Sequence, residues 1–392
     1  MRSQTKISQV TDLLRMMVRC DTVNSALSRR PQSEAVLVDK LETLAQSWQL
    51  ATKRMAVEGQ ADNLLVTVKV ASDRPWLLFD SHLDTVATEG MTIDPFGGEV
   101  EDGKLYGRGA CDTKGTGAAM LWALRQYAAS DDSTRFNNIA LLFSVDEEVG
   151  MTGVSSFAEN NLPELDFRPV GVIIGEPTLH QPVIAHNGCV RAEIATRGVA
   201  AHSSVPDAGK SAISTMIEVV RVIESEYIPS VLAIDQLTGS AACSINQIHG
   251  GSSPNTIPDT CRIVLDRRIV PAEKVEDILP AIDRALKSLA KQCPDLQYEI
   301  RLLAAHPPLN YDQKAKLLGK IQAILVSHRL PPRPLGAPFA TNASYLNSTG
   351  IPTVIIGPGD PIKAHTKDEW ISLDQVHLGV QIYLAIMQQS ID

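Results

Sequence analysis

Four short and almost continuously apolar segments limit what this chain can fold into. They are WLLF at 76–79, IALLFSV at 139–145, VGVII at 170–174 and TVII at 353–356. Such an uninterrupted run is typical of a strand that is buried on both faces of a parallel sheet. Segments with helical character, such as residues 115–128, lie between the runs. This alternation of strands and helices predicts an open α/β sheet.

The middle of the chain has a different pattern, with four predicted strands and two predicted helices. The strands are 189–198, 242–251, 260–270 and 296–305, and the helices are 210–225 and 271–292. The order β-α-β-β-α-β is that of a ferredoxin-like unit. We therefore predict an α/β domain in two parts, 1–187 and 305–392, with a smaller domain inserted at 188–304.

Each apolar run ends in a cluster of polar residues. The clusters are SHLDTV at 81–86, DEEVG at 146–150, GEPT at 175–178 and GPGDPIKAHTKDEW at 357–370, with GRGACDTKG at 107–115 before a predicted helix. Ligands of open α/β sheets bind beyond the carboxyl ends of the strands. A single His-x-Asp or Glu-Glu pair is usually an ordinary surface feature. Five such clusters at predicted strand ends or in a glycine-rich turn together indicate a site.

The donor groups in these clusters suit divalent metal ions. His82, Asp112, Glu148, Glu176 and His365 offer two imidazoles, three carboxylates and no thiolate, which favours zinc, cobalt or manganese. If one carboxylate bridges, five ligands are enough for two metals that activate a shared water. The clusters therefore predict a two-metal hydrolase.

Two further carboxylates could assist such a site. Glu147 and Glu148 are neighbours whose side chains point in different directions, so one can bind metal while the other takes a proton from water. Asp84 lies two residues after His82. It could accept the second N–H of that imidazole and fix its tautomer.

The motifs together are similar to those of a known family. SHLDTV, GRGACDTKG, SVDEEVG, IIGEPT, AHSSVPDAGKSAI, NTIPDTCRIVLDRR and GPGDPIKAHTKDEW occur in this order over most of the chain. They resemble the metallopeptidases that include aminoacylase, acetylornithine deacetylase, succinyl-diaminopimelate desuccinylase and carboxypeptidase G2. The resemblance implies a di-metal aminopeptidase-like catalytic domain, with an inserted ferredoxin-like domain that acts as a lid and forms a dimer.

The resemblance also implies how the five ligands are shared. His82 and Glu176 would hold one metal, and Glu148 and His365 would hold the other. Asp112 would bridge the two metals, next to a cis peptide bond that the family places after this residue.

Five other residues receive roles from the resemblance. Glu147 would be the general base and acid, and Asp84 would support the ligands. His202 would stabilise the oxyanion, and in dimeric family members this histidine comes from the partner subunit. Asn255 and Arg268 would grip the substrate carboxylate, which a guanidinium group fits in a bidentate manner.

Some positions leave questions open. Arg267 is adjacent to Arg268 and would point to the opposite face of the strand, so either could be the substrate ligand. Asn342 stands where many of these deacylases carry Asp, near the substrate pocket, and this bears on the choice of substrate side chain. Cys111 is expected to pack and not to act as a nucleophile. The histidines without a ligand role are His180, His186, His249, His306, His328 and His377.

Within the family, the segments TVIIGPGDPIKAHTKDEW and RRIVPAE look most like those of acetylornithine deacetylases. We expect hydrolysis of an N-acyl-L-amino acid, with N-acetylornithine as the leading substrate and arginine biosynthesis as the setting. The alternatives are a dipeptidase or glutamate carboxypeptidase, or a succinyl-diaminopimelate desuccinylase. A metal-binding relative without catalysis is a remote alternative, because the base and the ligands are all present.

The composition of the chain limits the classes of partner that we expect it to bind. The net charge of −9, from 36 Lys and Arg against 45 Asp and Glu, argues against nucleic acid. The sequence has no secretory signal, no run of about 18 apolar residues and only scattered cysteines, so we expect a cytoplasmic protein without a membrane partner. Its expected partners are a small N-acyl amino acid and a second copy, bound through the inserted domain.

Overall fold

Contacts between residues divide the chain into two compact units in this computed structural model, which describes residues 7–310 and 316–391. The first unit comprises 7–184, 316–335 and 341–391. The second comprises Ala185–Asn310 and Gly336–Ala340. Among the described residues, no helix is long and apolar enough to cross a lipid bilayer.

An eight-stranded sheet forms the framework of the first unit, although its last two strands end in residues that are counted in the second unit. In spatial order its strands are Ala51–Met55, Asn63–Val68, Asn138–Ser144, Trp76–His82, Pro169–Ile174, Thr353–Ile355, Val183–His186 and Leu335–Ala337. The four central strands, from Asn138–Ser144 to Thr353–Ile355 in this order, are parallel to one another. These four strands correspond to the four apolar runs. The strands that flank this group pair with it in the antiparallel sense, so the sheet is mixed. The predicted α/β fold is confirmed.

The central strands are covered on both faces, because every residue of Trp76–His82 and of Asn138–Ser144 is buried. The helix Gly115–Ala128 packs closely on this layer. A Cβ atom on its Gly117 would lie 2.9 Å from Ser81 Oγ, so the glycine permits the close approach. The α-helices of the first unit are Val10–Val18, Ser25–Ser28, Ala35–Ser47, Gly115–Ala128, Thr152–Ser156, Lys316–Ser327, Ala343–Ser348 and Leu373–Gln388.

A small antiparallel sheet joins two of the polar clusters. Its strands are Val100–Glu101, Lys104–Tyr106 and Trp370–Ser372. Trp370 pairs with Tyr106, which brings the end of the cluster at 357–370 beside the start of the cluster at 107–115. Short turns complete the first unit at Ala110–Lys114, Asp132–Thr134, Phe157–Asn161, Leu162–Glu164 and Pro361–Lys363.

The second unit contains a four-stranded antiparallel sheet and two helices. The strands, in spatial order, are Ala242–Gly250, Thr260–Ile269, Gly188–Arg197 and Tyr298–His306, and the helices are Ala212–Val222 and Ile278–Gln292. Alternate residues of the sheet, such as Ile194 and Leu265, pack with Met216 and Ile282 of the helices in one core. Along the chain the order is β-α-β-β-α-β, the order predicted from the sequence.

Shorter elements complete the second unit. Two small ribbons pair Ala201–His202 with Thr256–Ile257 and Ile234–Asp235 with Gly239–Ser240. The turns are Pro206–Ala208, Ile223–Tyr227, Ile228–Ser230 and Val275–Asp277.

The second unit is larger than the predicted insertion at 188–304, since it also includes 185–187, 305–310 and Gly336–Ala340. The late segment belongs there because Gly336 packs against the backbone of Leu237, where an added Cβ would lie 2.5 Å from the carbonyl oxygen. Ala337 O also accepts a hydrogen bond from Asn187 N at 3.1 Å. These contacts join parts of the chain that are distant in sequence, so local sequence patterns do not predict them.

Candidate metal centre

The five predicted ligands lie at one edge of the first unit's sheet. They are His82, Asp112, Glu148, Glu176 and His365. His82, Glu148 and Glu176 come at or just after the carboxyl ends of three neighbouring parallel strands. Asp112 lies in the turn ahead of the helix Gly115–Ala128, and His365 follows the turn Pro361–Lys363. The fold therefore brings together side chains that are far apart in the sequence.

Asp112 lies between the two imidazoles. Its Oδ1 is 3.2 Å from His82 Nε2, and its Oδ2 is 3.2 Å from His365 Nε2. Glu148 Oε2 is 3.1 Å from His365 Nε2, and Glu176 Oε1 is 4.0 Å from His82 Nε2. The side chains thus form two groups that share Asp112, the arrangement that a bridging carboxylate between two metals requires.

The charges of the cluster also suit cations. Burial raises the pKa values of Glu147, Glu148 and Glu176, and neighbouring carboxylates raise them further. The ligand atoms of His82, Asp112 and Glu148 lie within 4.8 Å of one another, close enough to surround one ion. Since the donors are carboxylate oxygens and imidazole nitrogens, the residues fit divalent metals, which would offset the crowded negative charge.

Contacts of the Nδ1 atom fix the orientation of the His82 ring. Its Nδ1 is 3.1 Å from the backbone oxygen of Asp84 and 3.4 Å from the carboxylate Oδ1 of the same residue. Either contact places the N–H on Nδ1 and leaves Nε2 free to bind a metal. The Asp84 carboxylate also accepts hydrogen bonds from Glu147 N at 2.9 Å and Glu148 N at 3.0 Å. Asp84 therefore connects two strand ends.

A buried ion pair, not predicted from the sequence, holds the turn that carries Asp112. Glu369 accepts hydrogen bonds from the amides of Gly109, Cys111 and Asp112 at 2.8–3.0 Å. Arg108 Nη1 donates to the same carboxylate at 2.8 Å. Both residues occur in the motifs quoted above, but the motifs alone do not indicate which charged residues turn inward.

Two features of this turn agree with the sequence analysis. The peptide bond between Asp112 and Thr113 is cis, as the resemblance implies. Cys111 is buried, and burial raises the pKa of its thiol, with a further contribution from Glu369. A thiol that stays protonated is a poor nucleophile, so the geometry fits a packing role for Cys111.

Asn342 lies inside the first unit and is only 1% exposed. Its Nδ2 donates hydrogen bonds to Asp80 Oδ2 and to Ser144 Oγ, each at 2.9 Å. Asp80 is two residues before His82 on the same strand, so Asn342 stabilises the strand that carries this predicted ligand. This position does not offer its side chain to a bound molecule.

His202 and Asn255 lie close together in the second unit. The strand pairing sets His202 opposite Thr256, and Ser203 N donates to Asn255 O at 3.0 Å. Ser204 N donates to His202 Nδ1 at 3.1 Å. Because Nδ1 accepts this bond, the neutral imidazole carries its proton on Nε2, where it can be donated to a ligand.

The two neighbouring arginines face opposite sides of their strand. Arg267 is 3% exposed, and its guanidinium contacts Glu273 on the covered face of the sheet. Arg268 lies on the other face, where Nε donates to Asp266 Oδ1 at 2.7 Å. Of the two, Arg268 has the accessible guanidinium, which favours it as the substrate ligand.

The remaining histidines stand apart from the ligand cluster. His180 is buried, with Nε2 3.0 Å from Gln375 O, and burial lowers its pKa to about 4. His186 and His306 are also buried, whereas His249 and His377 are exposed. This pattern fits histidines that have no ligand role.

Comparison with known proteins identifies relatives that match most of the chain. The model of peptidase family M20/M25/M40 matches residues 78–389. The chain is 28% identical to an acetylornithine deacetylase from Pectobacterium carotovorum, over 92% of each chain. It is 30% identical to an acetylornithine deacetylase from Myxococcus xanthus, over 80% of each chain.

Solved structures share the fold at lower identity. An M20 family metallo-carboxypeptidase from Sulfolobus solfataricus has a TM-score of 0.77 at 15% identity, covering 98% of this chain and 100% of that one. A tripeptidase from Staphylococcus aureus has a TM-score of 0.75 at 20% identity, with 97% of each chain covered. A dinuclear metal-binding peptidase from Bacillus subtilis has a TM-score of 0.71 at 14% identity, with 97% and 96% covered.

Proposed function

This chain belongs to the peptidase family M20/M25/M40, and on that basis we propose that it hydrolyses N-acyl-L-amino acids, with N-acetylornithine as the leading substrate. Membership of the family makes the chain a metallopeptidase-type hydrolase of amide bonds. The observation that carries the proposal is the position of Asp112, with one carboxylate oxygen 3.2 Å from His82 and the other 3.2 Å from His365. This geometry supports a site for two metals.

In the proposed site, His82 and Glu176 would hold one ion, Glu148 and His365 would hold the other, and Asp112 would contribute a ligand to both. Zinc is our first choice, with cobalt and manganese as alternatives, because all three accept imidazole and carboxylate ligands. Such ions, when bound, polarise the amide carbonyl and lower the pKa of water.

Glu147 is the proposed general base and acid. Its Oε2 is 4.0 Å from His82 Nε2, so it faces the ligand cluster, and burial raises its pKa. A raised pKa brings a carboxylate closer to the pH at which it exchanges protons efficiently. Glu147 takes a proton from the attacking water and later gives it to the amide nitrogen. The C–N bond then breaks to release a carboxylate and a free amine.

The second unit supplies the proposed substrate contacts. His202 donates a hydrogen bond from Nε2 to the oxyanion that forms on the carbonyl. The tautomer set by Ser204 supports this role. Asn255 and Arg268 are proposed to hold the substrate carboxylate, and the exposed guanidinium of Arg268 supports its part in this.

We further propose that the active protein is a homodimer in which each site uses residues of both subunits. Asn255 is five residues before Thr260, the first residue of the strand that carries Arg268, and Arg268 is eight positions further along this extended strand. At about 3.4 Å per residue, this separation is about 27 Å. Asn255 and Arg268 of one chain are therefore too far apart to grip one carboxylate, whereas residues from two copies can do so.

The surface of the second unit supports pairing through an edge strand and a helix. The strand Ala242–Gly250 is at the edge of its sheet, where its backbone groups can pair with another strand. Ile248 on this strand is 58% exposed, and Ile217 on the helix Ala212–Val222 is 53% exposed. An apolar surface of this kind beside an open sheet edge favours a second copy of the same chain.

Mixing two inactive variants tests the shared site. A Glu147→Ala protein lacks the base, and a His202→Ala protein lacks the oxyanion donor. If His202 serves the partner's site, mixed dimers contain one site with both residues intact, and activity returns after subunit exchange. No recovery, although sedimentation shows that mixed dimers form, would contradict the shared site.

The activity itself is tested with the purified protein. Acetyl, succinyl and formyl amino acids are compared with dipeptides, each with zinc, cobalt or manganese. We expect the highest kcat/KM with N-acetylornithine. A preference for dipeptides would indicate a dipeptidase or carboxypeptidase, and a preference for succinyl-diaminopimelate would indicate a desuccinylase.

The Glu147→Ala variant completes this test. We expect it to retain its metal, measured by elemental analysis, while kcat falls by about 100- to 10,000-fold. The exposed Glu159→Ala is the matched control. Near-normal turnover by Glu147→Ala would exclude the mechanism.

Hydrolysis of N-acetylornithine would place this protein in arginine biosynthesis. We propose a cytoplasmic location, supported by six cysteines that are all free thiols. Fractionation of cells that express the tagged protein would test this location.

A further inference from the structure

The loop that carries Glu147 and Glu148 is held at three consecutive backbone amides. Glu34 Oε1 accepts a hydrogen bond from Asp146 N at 3.2 Å. Asp84 accepts the next two, from Glu147 N at 2.9 Å and from Glu148 N at 3.0 Å. Two buried carboxyl groups therefore fix the backbone that presents the proposed base and one proposed ligand.

Asp146 has a backbone conformation that depends on such support. Its φ is 58°, in the left-handed region that residues other than glycine seldom adopt. Its carboxylate accepts hydrogen bonds from Asn24 Nδ2 at 2.8 Å and from Thr152 Oγ1 at 2.6 Å. Strained conformations of this kind persist where the surrounding structure holds them in place.

Glu34 is a rigid anchor for this loop. It is fully buried, and it immediately precedes the helix Ala35–Ser47, which buries Leu37 and Leu41 in the core. Its second carboxylate oxygen accepts a hydrogen bond from Ser33 Oγ at 3.0 Å. Each carboxylate oxygen thus accepts a hydrogen bond, which restricts the orientation of the side chain.

Asn24 ties the same loop to the strand end that carries His82. Its Nδ2 donates to Asp84 Oδ2 and to Asp146 Oδ1, each at 2.8 Å. Its Oδ1 accepts a hydrogen bond from Ala26 N at 3.0 Å, which fixes the amide's orientation. One buried amide therefore connects the carboxylates of the two segments.

We propose that Glu34 is a positioning residue for the hydrolysis: with Asn24, it sets the backbone at 146–148 and so directs the Glu147 carboxylate. This inference rests on the proposed function, because it assigns Glu34 an effect on a reaction in which Glu147 moves the proton. The effect can be large, since a displacement of about 1 Å can cost an enzyme about 100-fold in rate.

Two variants of Glu34 separate the length of its side chain from its charge, and a third variant elsewhere is the control. Glu34→Asp is one methylene shorter and withdraws the carboxyl group from Asp146 N with little change in buried volume. Glu34→Gln keeps an oxygen acceptor at the same reach. Asp39→Asn, on the exposed side of the adjoining helix, is the matched control.

We expect kcat to fall about 10- to 100-fold in Glu34→Asp, while KM stays within about twofold. Glu34→Gln should recover kcat to within about threefold, and Asp39→Asn should match the wild type. Thermal unfolding of each variant checks that it is folded. Equal kcat values for Glu34→Asp and Glu34→Gln would overturn the proposal.

Amide hydrogen exchange gives a second measurement that does not depend on turnover. Peptides that cover residues 144–150 should exchange faster in Glu34→Asp than in the wild type, and the rest of the first unit should be unchanged. Unchanged exchange at 144–150 would overturn the proposed role of Glu34. An inactive wild-type protein would instead refute the proposed function, and the exchange measurement would still decide the positioning of the loop.

Discussion

The Asp112 turn and the loop at 146–148 are both held by buried carboxyl groups, but their electrostatic surroundings differ. At the turn, Glu369 accepts three amide hydrogen bonds and is paired with the guanidinium of Arg108 at 2.8 Å. At the loop, Glu34 accepts hydrogen bonds from the amide of Asp146 and the hydroxyl of Ser33, which are neutral donors.

The difference appears in the pKa values of the two carboxyl groups. Burial raises the pKa of Glu369, but the amides of Asp112 and Gly109 and the charge of Arg108 oppose the increase. Burial raises the pKa of Glu34 to about 7, and the nearby charge of Asp84 adds to it. A buried carboxylate stays ionised readily only where several N–H groups or a cation offset its lost hydration.

The largest effect should come from removing the charged partner at the turn. Glu369→Ala leaves Arg108 buried without its counter-ion and leaves three amides without an acceptor. We expect the free energy of unfolding to fall by about 3–5 kcal/mol, measured by urea denaturation. Glu299→Ala, from an exposed pair with Arg197, should change it by less than about 1 kcal/mol. Equal effects of the two substitutions would show that the buried pair stabilises the fold no more than the exposed pair does.

A second change extends the comparison to Asp80, another buried carboxyl group with a neutral partner. Asn342→Asp replaces the amide that donates to Asp80 with a second carboxyl group. We expect a loss of about 2–4 kcal/mol in unfolding free energy at pH 8, because two buried carboxylates in contact cannot both ionise. The loss should be smaller at pH 5, where a protonated carboxyl group can donate in place of the amide. The exposed Asn160→Asp is the control, and a loss independent of pH would argue against this explanation.

The smallest expected effect concerns the raised pKa of Glu34. In the unfolded chain its pKa is near the ordinary 4.5, whereas in the folded protein it is about 7. Between these values the folded state binds more protons, so stability falls as the pH rises from 4.5 to 7. Glu34→Gln removes this penalty. Its stability relative to the wild type should therefore increase by up to about 3 kcal/mol across this range.

Urea denaturation of both proteins at several pH values measures this difference. Asp84, whose charge acts on Glu34, remains in both proteins, so its own titration largely cancels in the comparison. A difference in stability that stays constant between pH 5 and pH 8 would show that Glu34 ionises normally. The buried carboxyl groups of Glu34 and Glu369 would then not differ in the way proposed.

Local sequence patterns predicted the central strands of the sheet because a strand that is buried on both faces is almost continuously apolar. The runs at 76–79 and 139–145 became strands in which every residue is buried. The strands Ala51–Met55 and Val183–His186 were not predicted, because the first is mostly exposed and the second is only four residues long, so their sequence patterns are weaker. The same reasoning predicted which side chains lie at strand ends, but not the distances between them.

The sequence alone determined the central parallel strands, the β-α-β-β-α-β order of the second unit and the five side chains that gather at one sheet edge. These follow from local periodicity and from chain direction, which each segment carries by itself. Only the tertiary structure decided that Glu369, Arg108, Glu34 and Asn24 turn inward and that Gly336–Ala340 joins the second unit. A charged residue is buried only where distant segments supply its hydrogen bonds, and no local pattern contains that information.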